Sequence, residues 1–171
     1  RTFASYLEER LDCFLTGKLQ RRYTSIDRSR EEEDGEKSTN DSIGNMKPSV
    51  LLDRIEFWQR LLQRTIATRP TGAATTNRLV QISLYAVVQE SFHLYKDILE
   101  GLTYLVQCFF HLRYEDCVQA FKTCLKVTGQ FAELRQFYTL CKRIGVGRDS
   151  EYPSVETLSE EKIETLREFL K

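Results

Sequence analysis

Two histidines, five cysteines and a scatter of paired carboxylates are the side chains in this sequence with the most chemistry to offer. A metal centre needs His, Cys or carboxylate ligands clustered at helical or loop spacing. His93 and His111 are far apart in the sequence and read as ordinary packed or surface residues. Cys117 and Cys124 fall on one helix face with no base beside them, so they read as small hydrophobes rather than nucleophiles. Gly145-Val146-Gly147 is a lone Gly-x-Gly with no strand before it and no Lys-Ser/Thr after it, which is not a phosphate loop. Glu8-Glu9 and Glu160-Glu161 suit solvated helix faces, and nucleophile-elbow and kinase signatures are missing. Arg60, Arg64, Arg69 and Arg78 gather loosely around one turn without the interleaved aromatics of a base-stacking platform. The expectation is no enzyme, no metal or cofactor, and no nucleic-acid partner.

Bulk composition agrees with an ordinary globular domain. The 171 residues are 41% hydrophobic and 29% charged, enough chain to bury a sizeable core. Lys+Arg and Asp+Glu are 25 each, so whole-surface attraction to nucleic acid or anionic lipid is excluded while a local patch is not. The cysteines are odd in number and none forms a Cys-x-x-Cys pair, which favours reduced thiols in a cytosolic compartment over a disulfide framework. The chain begins at Arg1, already in a helical pattern, and is expected to be cut from something longer.

Helices must position whatever this chain does. The stretch 77–112 has no Pro and a single Gly, Gly101, and from Leu79 to Tyr95 apolar residues cover most of the helical circumference. A helix apolar nearly all round is one that other helices surround. Glu90, Lys96, Asp97 and Glu100 interrupt it before the roughly 20 apolar residues of a membrane span accumulate. Gln81, Tyr85, Gln89, His93 and Lys96 form its one narrow polar stripe.

Around this rod, Phe3, Leu7, Leu11 and Phe14, widened by Tyr6 and Leu15, mark one face of a first helix that fades near Arg22. A polar stretch at about 24–47, holding Ser25, Ser29, Ser38, Thr39 and Ser42, is expected to be a disordered connector. Pro48 opens a helix with Leu51, Leu52, Ile55, Trp58, Leu62 and Ile66 inward and Arg54, Gln59, Arg60 and Gln63 outward. From Glu115, Val118, Phe121, Leu125 and Thr128 share one side; Gly129 is expected to interrupt, before Phe131, Leu134, Phe137, Tyr138 and Cys141 continue. Gly145 supplies a C-cap, and Ser159 with Glu160 and Glu161 starts a last helix carrying Ile163, Leu166, Phe169 and Leu170. No strand alternation occurs, so the fold class is all-α, one domain over 1–171.

Several stretches are familiar together. Ala86-Val87-Val88-Gln89-Glu90-Ser91-Phe92-His93-Leu94-Tyr95 and Glu100-Gly101-Leu102-Thr103-Tyr104-Leu105-Val106-Gln107-Cys108-Phe109-Phe110 resemble the ANTH domain of clathrin-assembly proteins of the AP180 and CALM type, plant branch. Tyr6-Leu7-Glu8-Glu9-Arg10-Leu11, Trp58-Gln59-Arg60-Leu61-Leu62 and Ala132-Glu133-Leu134-Arg135-Gln136-Phe137-Tyr138 resemble it too. The likeness runs in order along nearly the whole chain outside the polar stretch.

That resemblance implies an antiparallel helical superhelix of the ENTH/ANTH/VHS kind, here the C-terminal part of an ANTH domain. It implies a cytoplasmic endocytic adaptor, peripheral on clathrin-coated pits and vesicles. Clathrin and adaptor complexes would be met through a tail outside this chain, and a phosphoinositide membrane through a basic cluster expected upstream of Arg1. Asp12-Cys13-Phe14 and Leu52-Asp53-Arg54-Ile55-Glu56 only echo coat-binding motifs, because their apolar residues belong to helix faces. Within the chain, the resemblance implies a groove for an R-SNARE (VAMP-type) helix, with Val106 and Phe131 at matching positions and Phe110, Phe121, Cys124 and Thr128 neighbouring them. The same residues suit a plain inter-helix core. The last helix, from Ser159, is a candidate occupant of that groove. The rival readings are an α-helical peptide-binding scaffold unrelated to clathrin coats, for which no repeat period is found, and an enzyme with a dispersed all-α site.

Overall fold

The structure, a computed structural model, describes residues 1–16 and 43–171. Most of the polar stretch at 24–47, with its candidate phosphorylation sites and the expected fading of the first helix near Arg22, lies outside the described residues. The described residues form five helices and no strand: α1 (Thr2–Leu15), α2 (Pro48–Ala67), α3 (Arg78–Cys108), α4 (Tyr114–Arg143) and α5 (Glu160–Phe169). Four boundaries have a clear local cause. Pro48 sits at the first turn of α2, where its missing N–H is not needed. The Asn77 side chain accepts from the Leu79 and Val80 N–H groups at 3.0 and 3.3 Å and caps α3. Ser159 caps α5, accepting from Lys162 N–H. At the end of α4, Gly145 takes φ +78°, and the N–H groups of Gly145 and Val146 close onto the carbonyls of Lys142 and Cys141, both at 3.0 Å.

Side-chain bonds fix the register. Glu9 meets Arg60 and the Cys13 thiol reaches the Phe57 carbonyl, so α1 runs antiparallel to α2. Ser91 meets Tyr138 and Tyr95 meets Phe131, so α3 and α4 are antiparallel. Gln59 meets Gln130 and Gln63 meets Glu133, so α2 and α4 run parallel. Helix α2 therefore lies between α1, α3 and α4, and its Leu51, Ile55, Trp58, Leu61 and Leu62 are at most 1% exposed. Where α2 crosses α3, Gly101 lets the backbones close up: a Cβ there would stand 3.0 Å from Ile55 Cδ1.

Five expectations are corrected. On α1 it is Tyr6 and Cys13 that face α2, whereas Phe3, Leu7, Leu11, Phe14 and Leu15 are 42–73% exposed. Gln59 turns inward and is 2% exposed, because it stands on the α2 face that meets α4. Gly129 interrupts nothing: α4 is continuous through it, held by a buried stripe of Cys117, Ala120, Cys124, Val127, Phe131 and Leu134 on both sides. That stripe is centred on the cysteines, which leaves Leu125 exposed. At the end of the polar stretch, Ile43 and Met46 are buried in the core rather than solvated. The four buried cysteines (Cys13, Cys117, Cys124, Cys141) and the half-buried Cys108 form no disulfide.

Candidate functional site

Helix α4 ends near Arg143, and the chain then doubles back as an irregular strap before α5. Helix α5 runs antiparallel along α4, towards the corner where α3 gives way to α4. There the ring of Phe169 stands edge-on against Phe110, with centroids 4.9 Å apart, and against Phe109 at 5.8 Å. Leu166 is 2% exposed, and Leu170 packs on the same core. The exposed side of α5 carries Glu161, Lys162, Glu164 and Glu168. The corner is thus a surface on which an amphipathic helix is already seated.

The six residues singled out from the sequence divide. Phe110, half exposed, touches α5 directly. Val106, Phe121 and Thr128 are half-buried along α3 and α4, and the Thr128 hydroxyl donates to the Cys124 carbonyl at 2.9 Å. Cys124 and Phe131 are each 1% exposed and belong to the core. Burial pushes the Cys124 thiol up to about 11, so it stays protonated and unreactive at neutral pH. Phe131 packs edge-on against Tyr95, with centroids 4.9 Å apart.

The strap is the part that sequence reasoning missed. The Tyr95 hydroxyl donates to the Ser154 carbonyl at 3.1 Å and accepts from the Glu156 N–H at 2.8 Å. From α4, Arg135 Nη2 donates to the Val155 carbonyl at 3.0 Å. Upstream, the Tyr152 ring lies edge-on to Phe92 and Tyr138, both at 5.2 Å, and its hydroxyl donates to the Val146 carbonyl. Closer to the α3 start, Tyr85 donates to Glu151 Oε2 at 3.0 Å and accepts from Gln89 at 2.9 Å, so the polar stripe of α3 serves to hold this return segment. Gln81 does the same, donating to the carbonyls of Thr75 and Ile144.

Among the described residues there is no group of three or more His, Cys, Asp or Glu able to hold a metal, and no helix long and apolar enough to cross a membrane. His93 and His111 are both exposed.

Comparison with known proteins gives a consistent result. The family model described as "ANTH domain" matches residues 1–171. The chain is 57% identical over 183 residues to the clathrin coat assembly protein AP180 of Arabidopsis thaliana, covering 100% of this chain and 28% of that protein. It is 36% identical over 182 residues to a protein of the same plant named "Putative clathrin assembly protein", covering 100% of this chain and 30% of the relative. The chain spans less than a third of the length of these relatives.

Proposed function

The chain belongs to the ANTH domain family, and we propose on that premise that it is part of a non-enzymatic adaptor for clathrin-coat assembly. Its helices supply a stiff body, and the corner between α3 and α4 is a docking groove for the amphipathic helix of an R-SNARE carried as cargo. Contacts to clathrin, to adaptor complexes and to a phosphoinositide membrane are assigned to parts of the protein outside residues 1–171. On this reading the protein works in the cytoplasm, peripherally on coated pits and vesicles.

One observation carries the groove: Phe169 of α5 is seated on Phe109 and Phe110. Apolar anchors on one face of a helix are what a helix-accepting groove selects. An incoming helix would take the place of α5, placing its own anchors near Phe110, Val106 and Phe121. Phe131 lies beneath that surface and supports it rather than lining it. The rival scaffold without coats would use the same groove for a different helix.

The test is a titration of labelled R-SNARE helical peptides into residues 1–171, alongside Phe110→Lys and Phe169→Lys. Both positions are half exposed, so circular dichroism should show an intact fold in each. Saturable binding that weakens in Phe110→Lys and strengthens in Phe169→Lys supports the groove. Saturation by none of the three proteins removes cargo recognition from this part of the chain.

A further inference from the structure

We propose that the strap between α4 and α5 is a latch that sets how readily α5 leaves the groove, and that Tyr95 is its clasp. The inference rests on the groove reading only for what enters once α5 leaves.

Helix α5 has little hold of its own. It is 10 residues long, shorter than the roughly 12–15 at which an isolated helix becomes even marginally stable in water. Leu166 is the one residue within its bounds that is fully buried. Its place depends on how tightly the preceding chain confines it, because a short tether keeps a weak ligand at high effective concentration. The confinement is visible at residues 154–156. Three consecutive residues are tied there by hydrogen bonds to two different helices: Ser154 and Glu156 to Tyr95 of α3, and Val155 to Arg135 of α4. A single hydroxyl makes two of these bonds, so its loss frees both ends of the tripeptide together. The next anchor upstream is Tyr152, whose ring is plugged between Phe92 and Tyr138. With those bonds lost, only the half-buried Val155 and Leu158, packed on the core, hold the leash between Tyr152 and α5.

Tyr95 also faces the other way. Its ring packs edge-on against Phe131, the buried core residue among the groove candidates on α4. One side chain therefore touches both the groove's support and the leash of the helix that covers it. A helix that moves Phe131 on entry would displace the Tyr95 hydroxyl from Ser154 and Glu156, so entry and release of α5 favour each other.

Hydrogen exchange on residues 1–171 reads this without any partner. Tyr95→Phe keeps the ring on Phe131 and removes only the hydroxyl. The expected result is that the Glu156 amide and the amides of α5 lose protection together, by about tenfold, while the core amides of α2 are unchanged. Arg135→Gln, an exposed change on the other helix, should move the same amides in the same direction. Loss of protection at Glu156 with α5 unaffected in both variants overturns the latch. If Tyr95→Phe also loosens α2, the Arg135→Gln result decides. An R-SNARE helical peptide then separates the two readings. Tighter binding to Tyr95→Phe than to the native chain supports both. The expected exchange pattern with no peptide binding keeps the latch and removes the groove reading. Equal binding to both proteins, with α5 exchange unaltered, overturns the latch and leaves the groove.

Discussion

A Cβ at Gly101 would lie 3.0 Å from Ile55 Cδ1 and 3.2 Å from its Cγ1, tighter than side chains normally approach. Ile55 is fully buried, with Leu51 3.4 Å away from the same point, so it has nowhere to retreat. Gly101→Ala gains about 1 kcal/mol in helix propensity but meets an overpacking penalty of about 1–3 kcal/mol. The expected outcome is net destabilisation by about 1 kcal/mol. Gly129 is the control: it is exposed within α4, and nothing lies within 4 Å of a Cβ there. Gly129→Ala should stabilise by about 0.5–1 kcal/mol. Denaturant unfolding followed at Trp58, the chain's one tryptophan and buried, measures both. Equal shifts in the same direction would show that the α2–α3 crossing is looser than described.

Gln59 and Gln130 carry a second pair of opposite expectations. Gln130 Nε2 donates to the Gln59 carbonyl at 2.7 Å and to Gln63 Oε1 at 3.2 Å, while Gln59 Nε2 and Gln130 Oε1 are buried without partners. Gln59→Met removes an unsatisfied donor and should leave stability unchanged or raise it by about 1 kcal/mol. Gln130→Met removes two made bonds along with one unsatisfied acceptor, and should lower stability by about 1–2 kcal/mol. Melting temperatures of the two variants, ranked the other way, would contradict the arrangement between α2 and α4.

The buried thiols predict an alkaline limit. Burial raises Cys124 to about 11 and Cys141 to about 12 from an ordinary 9.0, the latter against an opposing pull from Arg69. In the fold both stay neutral where an unfolded chain ionises. A raised folded-state value means that the contribution is fully present below pH 9 and is lost as pH climbs towards 11 and 12. Burial raises Tyr138 and Tyr152 as well, which acts in the same direction. Stability should therefore fall by about 2–3 kcal/mol between pH 8 and 10. Cys124→Ala combined with Cys141→Ala should flatten that fall; an unchanged slope would refute the assignment to thiols. In the native protein, a thiol reagent at neutral pH should modify Cys108 first, since it alone is half-buried.

What was legible in the sequence was local. Pro48, the Ser159 cap and the Gly145 C-cap each act within a few residues, whereas the apolar stretch from Leu79 misled: it is a helix, but Leu79 and Ile82 are 74% and 59% exposed, and α2 rather than α3 is the helix the others surround. Gly129 misled because its weak helix propensity, about 1 kcal/mol, is small beside the buried stripe that α4 continues on both sides of it. Gln59 misled because polarity suggests an outward position, while its neighbour Gln130 is 71 residues away. The strap was invisible for the same reason: its bonds to Tyr95 link residues 59 and 61 apart, and no spacing rule reaches that far. Of the six groove candidates, sequence could place Phe121, Cys124, Thr128 and Phe131 on one stripe of α4. It could not say that Cys124 and Phe131 lie beneath the surface and Phe110 on it.

The first helix gives the most direct check on which face is the inner one. Periodicity marks Phe3, Leu7, Leu11 and Phe14 as an apolar face, but Tyr6 and Cys13 are the residues packed on α2. Leu7, Leu11 and Phe14 line an open depression of about 470 Å³ with Arg10, and Phe3 borders another of about 440 Å³ beside Leu79 and Pro70. Half-exposed apolar residues contribute little to folding because much of their surface stays in water, and a contiguous patch of them marks a surface prone to association. Leu11→Lys should thus alter the unfolding free energy of residues 1–171 by no more than about 0.5 kcal/mol, as expected for an exposed position. It should also raise the concentration at which the protein begins to associate in sedimentation runs. Tyr6→Ala opens a cavity against α2 and should lose about 3 kcal/mol. If Leu11→Lys proved the more damaging of the two, α1 would have to be rotated about its axis, with Leu7 and Leu11 turned towards α2.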